Sequence, residues 1–417
     1  MEQKKNSYSM GIIIIGILFF IFGFVTWLNA TLIPYLKIAC ELQHEWQGYL
    51  VTFAFYIAYF VMALPSSWVL RKTGYKNGMM LGLLVMAVGA LLFIPAAMTR
   101  TYGLFLLGLF IMGTGLSVLQ TASNPYVIEL GPAESAAQRV SIMGICNKVA
   151  GAISPLILGS IMLKDIDLLE AKLQTMDAIQ KAAELDLLAS KSIVPYVVIM
   201  VSLVVLALFV RFSPLPQIED PEEEEGSLQH SGKSSIFSFP HLWIGIVTLF
   251  LYVGVEVIAI DTIIGYAQSM KMDMDTARIF PTYGMIAMIV GYIIGIIAIP
   301  KYISQEKALA CCATLGVILG ICTVMLPGDT SIWCLTLLSL ANSLMWPAIG
   351  LGRHTKTGSA LLIMAIAGGA LLPMLYGSLT TSMGHQGAYW MMLPCYLFIL
   401  YFAVAGHRVG IKHLYKK

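Results

Sequence analysis

Ser213-Pro-Leu-Pro-Gln-Ile-Glu-Asp-Pro-Glu-Glu-Glu-Glu-Gly226 is the stretch from which the rest of the chain can be read. It opens a polar segment, residues 213–240, in a chain of 417 residues that is 58% hydrophobic and only 12% charged. An ordinary soluble domain carries about 25% charged residues, so the chain reads as a polytopic membrane protein. In lipid the backbone must satisfy its own hydrogen bonds, which makes helices the spanning elements of long apolar runs. A span needs roughly 20 apolar residues. Six such runs precede the polar segment and six follow it, from Ser9–Leu36 to Gly387–His407. The expected fold is all-α, with twelve membrane helices. Residues 1–212 form an N-terminal six-helix bundle, 213–240 a cytoplasmic linker, and 241–417 a C-terminal six-helix bundle, around a central cavity.

Of the 25 Lys and Arg residues, sixteen fall in loops on the side of the N-terminus, eight on the other side, and one, Lys148, inside a span. By the positive-inside rule both termini are then cytoplasmic. The first apolar run is longer than a signal-peptide core and no small-residue cleavage pattern follows it, so it reads as the first span. In residues 164–191, Leu and Ile alternate with Asp, Glu and Lys at helical spacing, the pattern of an external amphipathic cover of one or two helices. The seven cysteines have no metal-ligand spacing and read as packing residues. A net charge of +2 gives no reason to expect nucleic acid as a partner. No nucleophile–base pair, metal cluster or nucleotide loop is legible, so neither an enzyme nor a protein with a metal or organic cofactor is expected.

The polar residues inside the spans carry the functional argument. Glu256 sits in Leu251-Tyr-Val-Gly-Val-Glu-Val-Ile-Ala-Ile260, followed by Asp261, and Lys148 in Ser141-Ile-Met-Gly-Ile-Cys-Asn-Lys-Val-Ala150. A charge at that depth costs roughly 2.5–3.5 kcal/mol on insertion scales, so it persists where a cavity, an ion or a partner receives it. Glu256 and Asp261, five residues apart, point about 140° away from each other on a regular helix and form no single carboxylate pair unless the helix breaks. Lys148 has two possible partners, Glu256 and Asp261. Either bridge lowers the cost of burial, as a static lock or as the place where a coupling cation competes.

Amides and indoles lie at similar depths: Trp27 and Asn29 on the first span, Gln120 and Asn124 on the fourth, Asn147 on the fifth, Asn342 and Trp346 on the tenth. Amides donate to and accept from ring hydroxyls while an indole covers an apolar C–H patch, which is the equipment of a sugar site. The bland alternative is that the amides join helix to helix and that Pro125 and Pro347 kink them. Arg71-Lys72-Thr73-Gly74-Tyr75-Lys76, between the second and third spans, is expected at a gate or interbundle contact.

Six spans on each side of a charged linker is the plan of the major facilitator superfamily. Asn29-Ala-Thr-Leu-Ile-Pro34, Gln120-Thr-Ala-Ser-Asn-Pro-Tyr-Val127, Tyr252-Val-Gly-Val-Glu256 and His354-Thr-Lys-Thr-Gly-Ser359 make the chain similar to its fucose–galactose–glucose symporter family. Phe22-Gly-Phe-Val-Thr-Trp-Leu-Asn29 and Asn147-Lys148 resemble most the branch of bacterial glucose/galactose and N-acetylglucosamine transporters. The resemblance implies inward transport of a sugar across the bacterial inner membrane by alternating access, normally as a monomer. The acids that carry the proton in the family's fucose carriers align with Ala30 and Gln120, neither of which titrates, while Glu256, Asp261 and Lys148 stand where those carriers have neutral residues. Coupling to H⁺ or Na⁺ is therefore expected on the seventh span. Relatives also carry about six more residues after Trp346-Pro347, about 9 Å of helix, so the tenth span is expected to be short.

The expected function is import of a neutral sugar with a cation. Asn29, Gln120, Asn124, Asn147 and Asn342 serve as hydroxyl partners, Trp27 or Trp346 as the stacking face, and Glu256, Asp261 and Lys148 as the coupling set. The alternatives are an efflux carrier for amphipathic compounds and a non-transporting sugar sensor.

Overall fold

The computed structural model describes residues 2–130, 136–213, 215, 240–299, 301–344 and 362–409. Nearly all of the expected linker, Trp346, and the site of the expected shortening lie outside these residues. The first crossing is α1 (Glu2–Trp27) followed by α2 (Asn29–Ala39), with a break at Leu28. Pro34 has no N–H, and its ring crowds the carbonyl of Ala30, which weakens the ladder one turn beyond the break. A short turn, α3 (Glu45–Gly48), leads into α4 (Leu50–Thr99). A straight helix of that length would run about 75 Å, more than twice the hydrocarbon core. It reverses instead at Gly74, whose φ of 72° is open to glycine and strained for other residues. Both arms lie along α5 (Tyr102–Glu129): Gly113 faces Phe55 of one arm, and Gly115 faces Gly82 and Met86 of the other.

The rest of this half is α6 (Ala136–Met162), α7 (Ile166–Leu173), α8 (Ala178–Ser190) and α9 (Ile193–Phe212). The amphipathic segment thus forms two helices, with Leu185, Leu188 and Ala189 buried beneath it. Tyr35 donates to the carbonyls of Leu188 and Ala189 at 2.7 and 2.8 Å. Arg100 pairs with Asp186 at 2.8 Å. These bonds tie the cover to the ends of the first and third crossings.

The seventh crossing is α10 (Pro240–Asp261) and α11 (Ile263–Ser269), broken at Thr262. The Thr262 hydroxyl bonds back to the carbonyl of Ile258 at 2.7 Å, a local competitor of the helical ladder. Then follow α12 (Met274–Ala277), α13 (Phe280–Ala298), α14 (Gln305–Met325), and α15 (Gly328–Ala341) with a 3₁₀ turn, Asn342–Leu344. The last described elements are α16 (Gly368–Ala388), which turns at Gly384 (φ 71°), and α17 (Met392–Val404).

Among the described residues nine helices are long and apolar enough to cross a membrane. Two of them, Leu50–Thr99 and Leu362–Val404, are long enough to cross twice and turn at Gly74 and Gly384. The described part of α15 is 14 residues, about 21 Å, and supplies the tenth crossing. The twelve expected crossings are all accounted for, with three of them disguised by continuous helix at a turn or by a short described length.

Within the first half α1 packs on α6, and α4 on α5 and α9. In the second, α10 packs on α16 and α17, and α14 on α15 and α17. Two long contacts join the halves, α6 with α13 and α4 with α16. We call the face that carries the start of α1 the near face and the opposite one the far face. On the far side the Tyr49 and Tyr376 rings meet edge to face at 5.7 Å. Also on that side, Asp167 of α7 accepts from the Met274 backbone N–H at 2.7 Å. In the basic turn at Gly74, Lys76 donates to the carbonyl of Ser213, at the end of α9 in its own half, at 2.8 Å.

Candidate functional site

The break at Leu28 places Trp27 and Asn29 beside α6, and the straight run of α10 carries Glu256 to the same depth. Lys148 Nζ donates to Glu256 Oε1 at 2.5 Å, with both side chains more than 90% buried. Of the two pairings open to Lys148, this is the one the fold makes. The ammonium also lies 4.4 Å from the centroid of the Trp27 ring, a cation–π contact in a dry setting. Trp27 Nε1 in turn points at Asn147 Oδ1 at 3.4 Å. Residues of α1, α6 and α10 therefore form one chain: amide, indole, ammonium, carboxylate.

Trp27 is buried together with Ala30, Ala152, Ile260, Met285 and Met288, residues of four crossings and both halves. Expected as an open stacking face, the indole here is covered and holds a cation. An ion pair in low dielectric gains over separated buried charges only with close geometry, which the 2.5 Å contact supplies.

Asp261 has a separate environment. Its helix stays regular from Glu256 through Asp261 and breaks only afterwards, so the two acids do not converge. Thr52 on α4 donates to Asp261 Oδ2 at 2.8 Å, across the two halves. Oδ1 is buried and has no hydrogen-bond partner. Thr52 was not legible as a site residue, because a lone threonine in a helix most often bonds its own preceding turn, as Thr121, Thr248 and Thr336 do here.

The amides divide in the same way. Asn29 is fully buried and neither its Oδ1 nor its Nδ2 has a partner. Asn342 accepts from Tyr396 OH at 2.8 Å but leaves Nδ2 unpaired. Gln120 Oε1 is likewise unpaired, and Asn124, one turn on, is half-buried. Hydroxyls of Thr26, Ser154 and Ser339 are also buried without partners. Ser154 lies two turns along α6 from Asn147 on the same face. Thr31 and Tyr196, the latter stacked on Phe93 away from this group, are unpaired in the same way, so an unpaired atom alone does not mark a binding place. A groove between α1 and α6, lined by Ile13, Ile17, Phe20, Ile142 and Cys146, is wholly apolar and belongs to the lipid side.

Two crossings, each interrupted past its middle, with buried charge and unpaired amides between them, have the plan of a secondary transporter. The chain belongs to the Major Facilitator Superfamily, whose sequence profile matches residues 15–352. It is 33% identical to the glucose/galactose transporter of Brucella abortus, over 97% of this chain and 96% of that one. It is 32% identical to a putative glucose/galactose transporter of Helicobacter pylori, over 98% and 99%, and 30% identical to the L-fucose-proton symporter of Escherichia coli, over 92% and 89%. The crystal structure of FucP in the outward conformation superposes with a TM-score of 0.73, covering 95% of this chain and 98% of FucP at 28% identity. The chain is thus a multi-pass membrane transporter rather than an enzyme.

Proposed function

We propose that the protein imports a neutral hexose or N-acetylhexosamine together with a cation, as a monomer in the bacterial inner membrane, with the near face cytoplasmic. The observation that carries this reading is Asn29, a fully buried amide with both polar atoms unpaired, beside the Trp27–Lys148–Glu256 chain. An unpaired buried amide destabilises the fold by about 1–3 kcal/mol, a cost that a hydroxyl-rich ligand removes. Gln120, Asn124 and Asn342 supply further donors and acceptors from α5 and the turn after α15. An amphipathic cargo would pair with fewer of these groups than a sugar bearing hydroxyls on every face, which favours the sugar over the efflux reading. The names of the relatives agree with a sugar.

In this reading residues 1–212 and 241–417 act as two bundles that rock about the bound sugar. The Thr52–Asp261 bond and the Tyr49–Tyr376 contact close the far side. The Lys148–Glu256 bond, between α6 and α10, joins the bundles at the midplane. Sugar arriving at Asn29 and Asn147 competes with the indole and ammonium for the same space, so loading and the ion pair are linked.

The test is uptake of labelled glucose, galactose and N-acetylglucosamine into proteoliposomes under an imposed proton or sodium gradient. Concentrative uptake of one of them by wild type is the expected result, at a lower rate in Glu256→Gln, which breaks the bond to Lys148. Equal rates in both proteins would reduce Glu256 to a structural charge. Failure of all three sugars would overturn the cargo class.

A further inference from the structure

The two buried acids of the seventh crossing are not equivalent. We propose that Asp261, not Glu256, is the residue that carries the coupling ion, and that the ion is a proton held on the carboxyl oxygen that Thr52 leaves free. This rests on the symport reading above and assigns its coupling step to one side chain.

The argument is one of compensation. Glu256 has a cation within hydrogen-bond distance and is neutralised by it. Asp261 is only 2% exposed, accepts a single hydroxyl from Thr52, and forms no salt bridge among the described residues. An isolated buried carboxylate is too costly to persist, whereas a neutral carboxyl with one unpaired O–H costs far less. The charged groups on the packed elements are engaged elsewhere, and the titratable groups that face Asp261, Tyr49 and Tyr56, bring no positive charge. Lys148 on α6 is bound to Glu256. On α2, Tyr35 donates to Leu188 and Ala189, and Lys37 pairs with Glu45. Tyr376 and His385 on α16 contact each other, Tyr389 bonds Thr262, and Tyr396 on α17 bonds Asn342. Tyr283 on α13 stacks on Trp333, and Tyr292 lies beside Gly144. Tyr56 on α4 is a neutral phenol packed against Gly369. None of these brings a positive charge to Asp261.

Sodium fits the same place poorly. A hard cation takes several oxygen ligands, and the oxygen bonded to Asp261 among the described residues is one hydroxyl, with the phenols of Tyr49 and Tyr56 as the other side-chain oxygens nearby. The position also suits proton loading. Asp261 ends α10 at the break, and its side-chain bond among the described residues crosses to the other half. Parting of the halves on the far side removes Thr52 and admits water, from which the carboxylate takes H⁺. Closure reseals the neutral acid, and H⁺ returns to water when the site opens to the near face. No electrons move.

The experiment is infrared spectroscopy of the full chain in lipid at neutral pH, read at the carbonyl stretch of protonated carboxyls. That band is expected in wild type and in Glu256→Gln and is expected to be lost in Asp261→Asn, which keeps the side-chain shape and the acceptor for Thr52. Thr52→Val, a second route if Asp261→Asn folds badly, should move the band to higher frequency as its hydrogen bond goes. A band missing from wild type, or unmoved in Thr52→Val, would overturn the assignment. In proteoliposomes Asp261→Asn should stop at the equilibrium sugar ratio whatever the pH gradient. Accumulation driven by sodium alone in wild type would also overturn it. The spectrum needs no sugar, so a wrong cargo class shows itself as absent uptake with the band intact.

Discussion

The first and seventh crossings hold equivalent places in the two halves, and both are interrupted in their far-side part, at Leu28 and at Thr262. Their chemistry differs. The first crossing brings a neutral amide with both polar atoms unpaired; the seventh brings two acids, each with a partner from the other half. A site that must accept and release a neutral solute keeps its unsatisfied groups neutral, because an unsatisfied charge there would not survive burial. Charge is tolerated where the other half neutralises it, so it also reports whether the halves are together. In the proposed cycle one break recognises cargo and the other senses closure.

The largest effect should come from separating the charged pair. Lys148→Ala leaves Glu256 buried and alone, and should lower stability by about 3–5 kcal/mol, read as a drop in the midpoint of thermal unfolding in detergent. Lys148→Met combined with Glu256→Gln should recover most of that loss. If the double variant is as unstable as the single one, the comparison between a neutral break and a charged break fails. Asn29→Leu tests the opposite side: replacing an unpaired amide with an apolar group of similar size should leave the unfolding midpoint unchanged or raise it, while KM for sugar rises by roughly 10-fold, about 1.4 kcal/mol. A fall in the midpoint instead would show that Asn29 already has a structural partner.

Asn342 lies between these extremes, since it accepts from Tyr396 and leaves its amide nitrogen unpaired. Asn342→Leu should cost about 1 kcal/mol of stability for the lost bond and also raise KM. Trp27→Phe sharpens the comparison least. It removes a long 3.4 Å hydrogen bond and weakens the cation–π contact, for a loss of about 0.5–1 kcal/mol. Its signature should be a small drop in the unfolding midpoint.

Much of this arrangement was legible before any coordinates. Apolar runs and loop charges located the crossings, and the rarity of charge in lipid singled out Lys148, Glu256 and Asp261. The pairing was not legible, because it depends on how α6 faces α10, and both Glu256 and Asp261 lay within reach of Lys148 by depth. Pro34 hinted at a break in the first crossing. Nothing comparable marks the break at Thr262, where a threonine hydroxyl competes for a backbone carbonyl. Tyr396, the partner of Asn342, was hidden for another reason: an aromatic residue in an apolar span reads as packing until its hydroxyl is placed. At the basic turn by Gly74, whose charge suggested contact between bundles, the described bond is that of Lys76 within its own half.

The bond from Asp167 to the Met274 N–H lies outside the membrane core, on the helical cover that Tyr35 and Arg100 fasten to the first half. It is the outermost stitch between the two halves among the described contacts, and it must part whenever the far side opens. The cover is therefore a handle on the cycle that can be gripped from outside the cell in the proposed orientation. An antibody fragment clasping α7 and α12 together would never enter the cavity, yet it would hold the outer door shut and stop the carrier as surely as a plug in the sugar site.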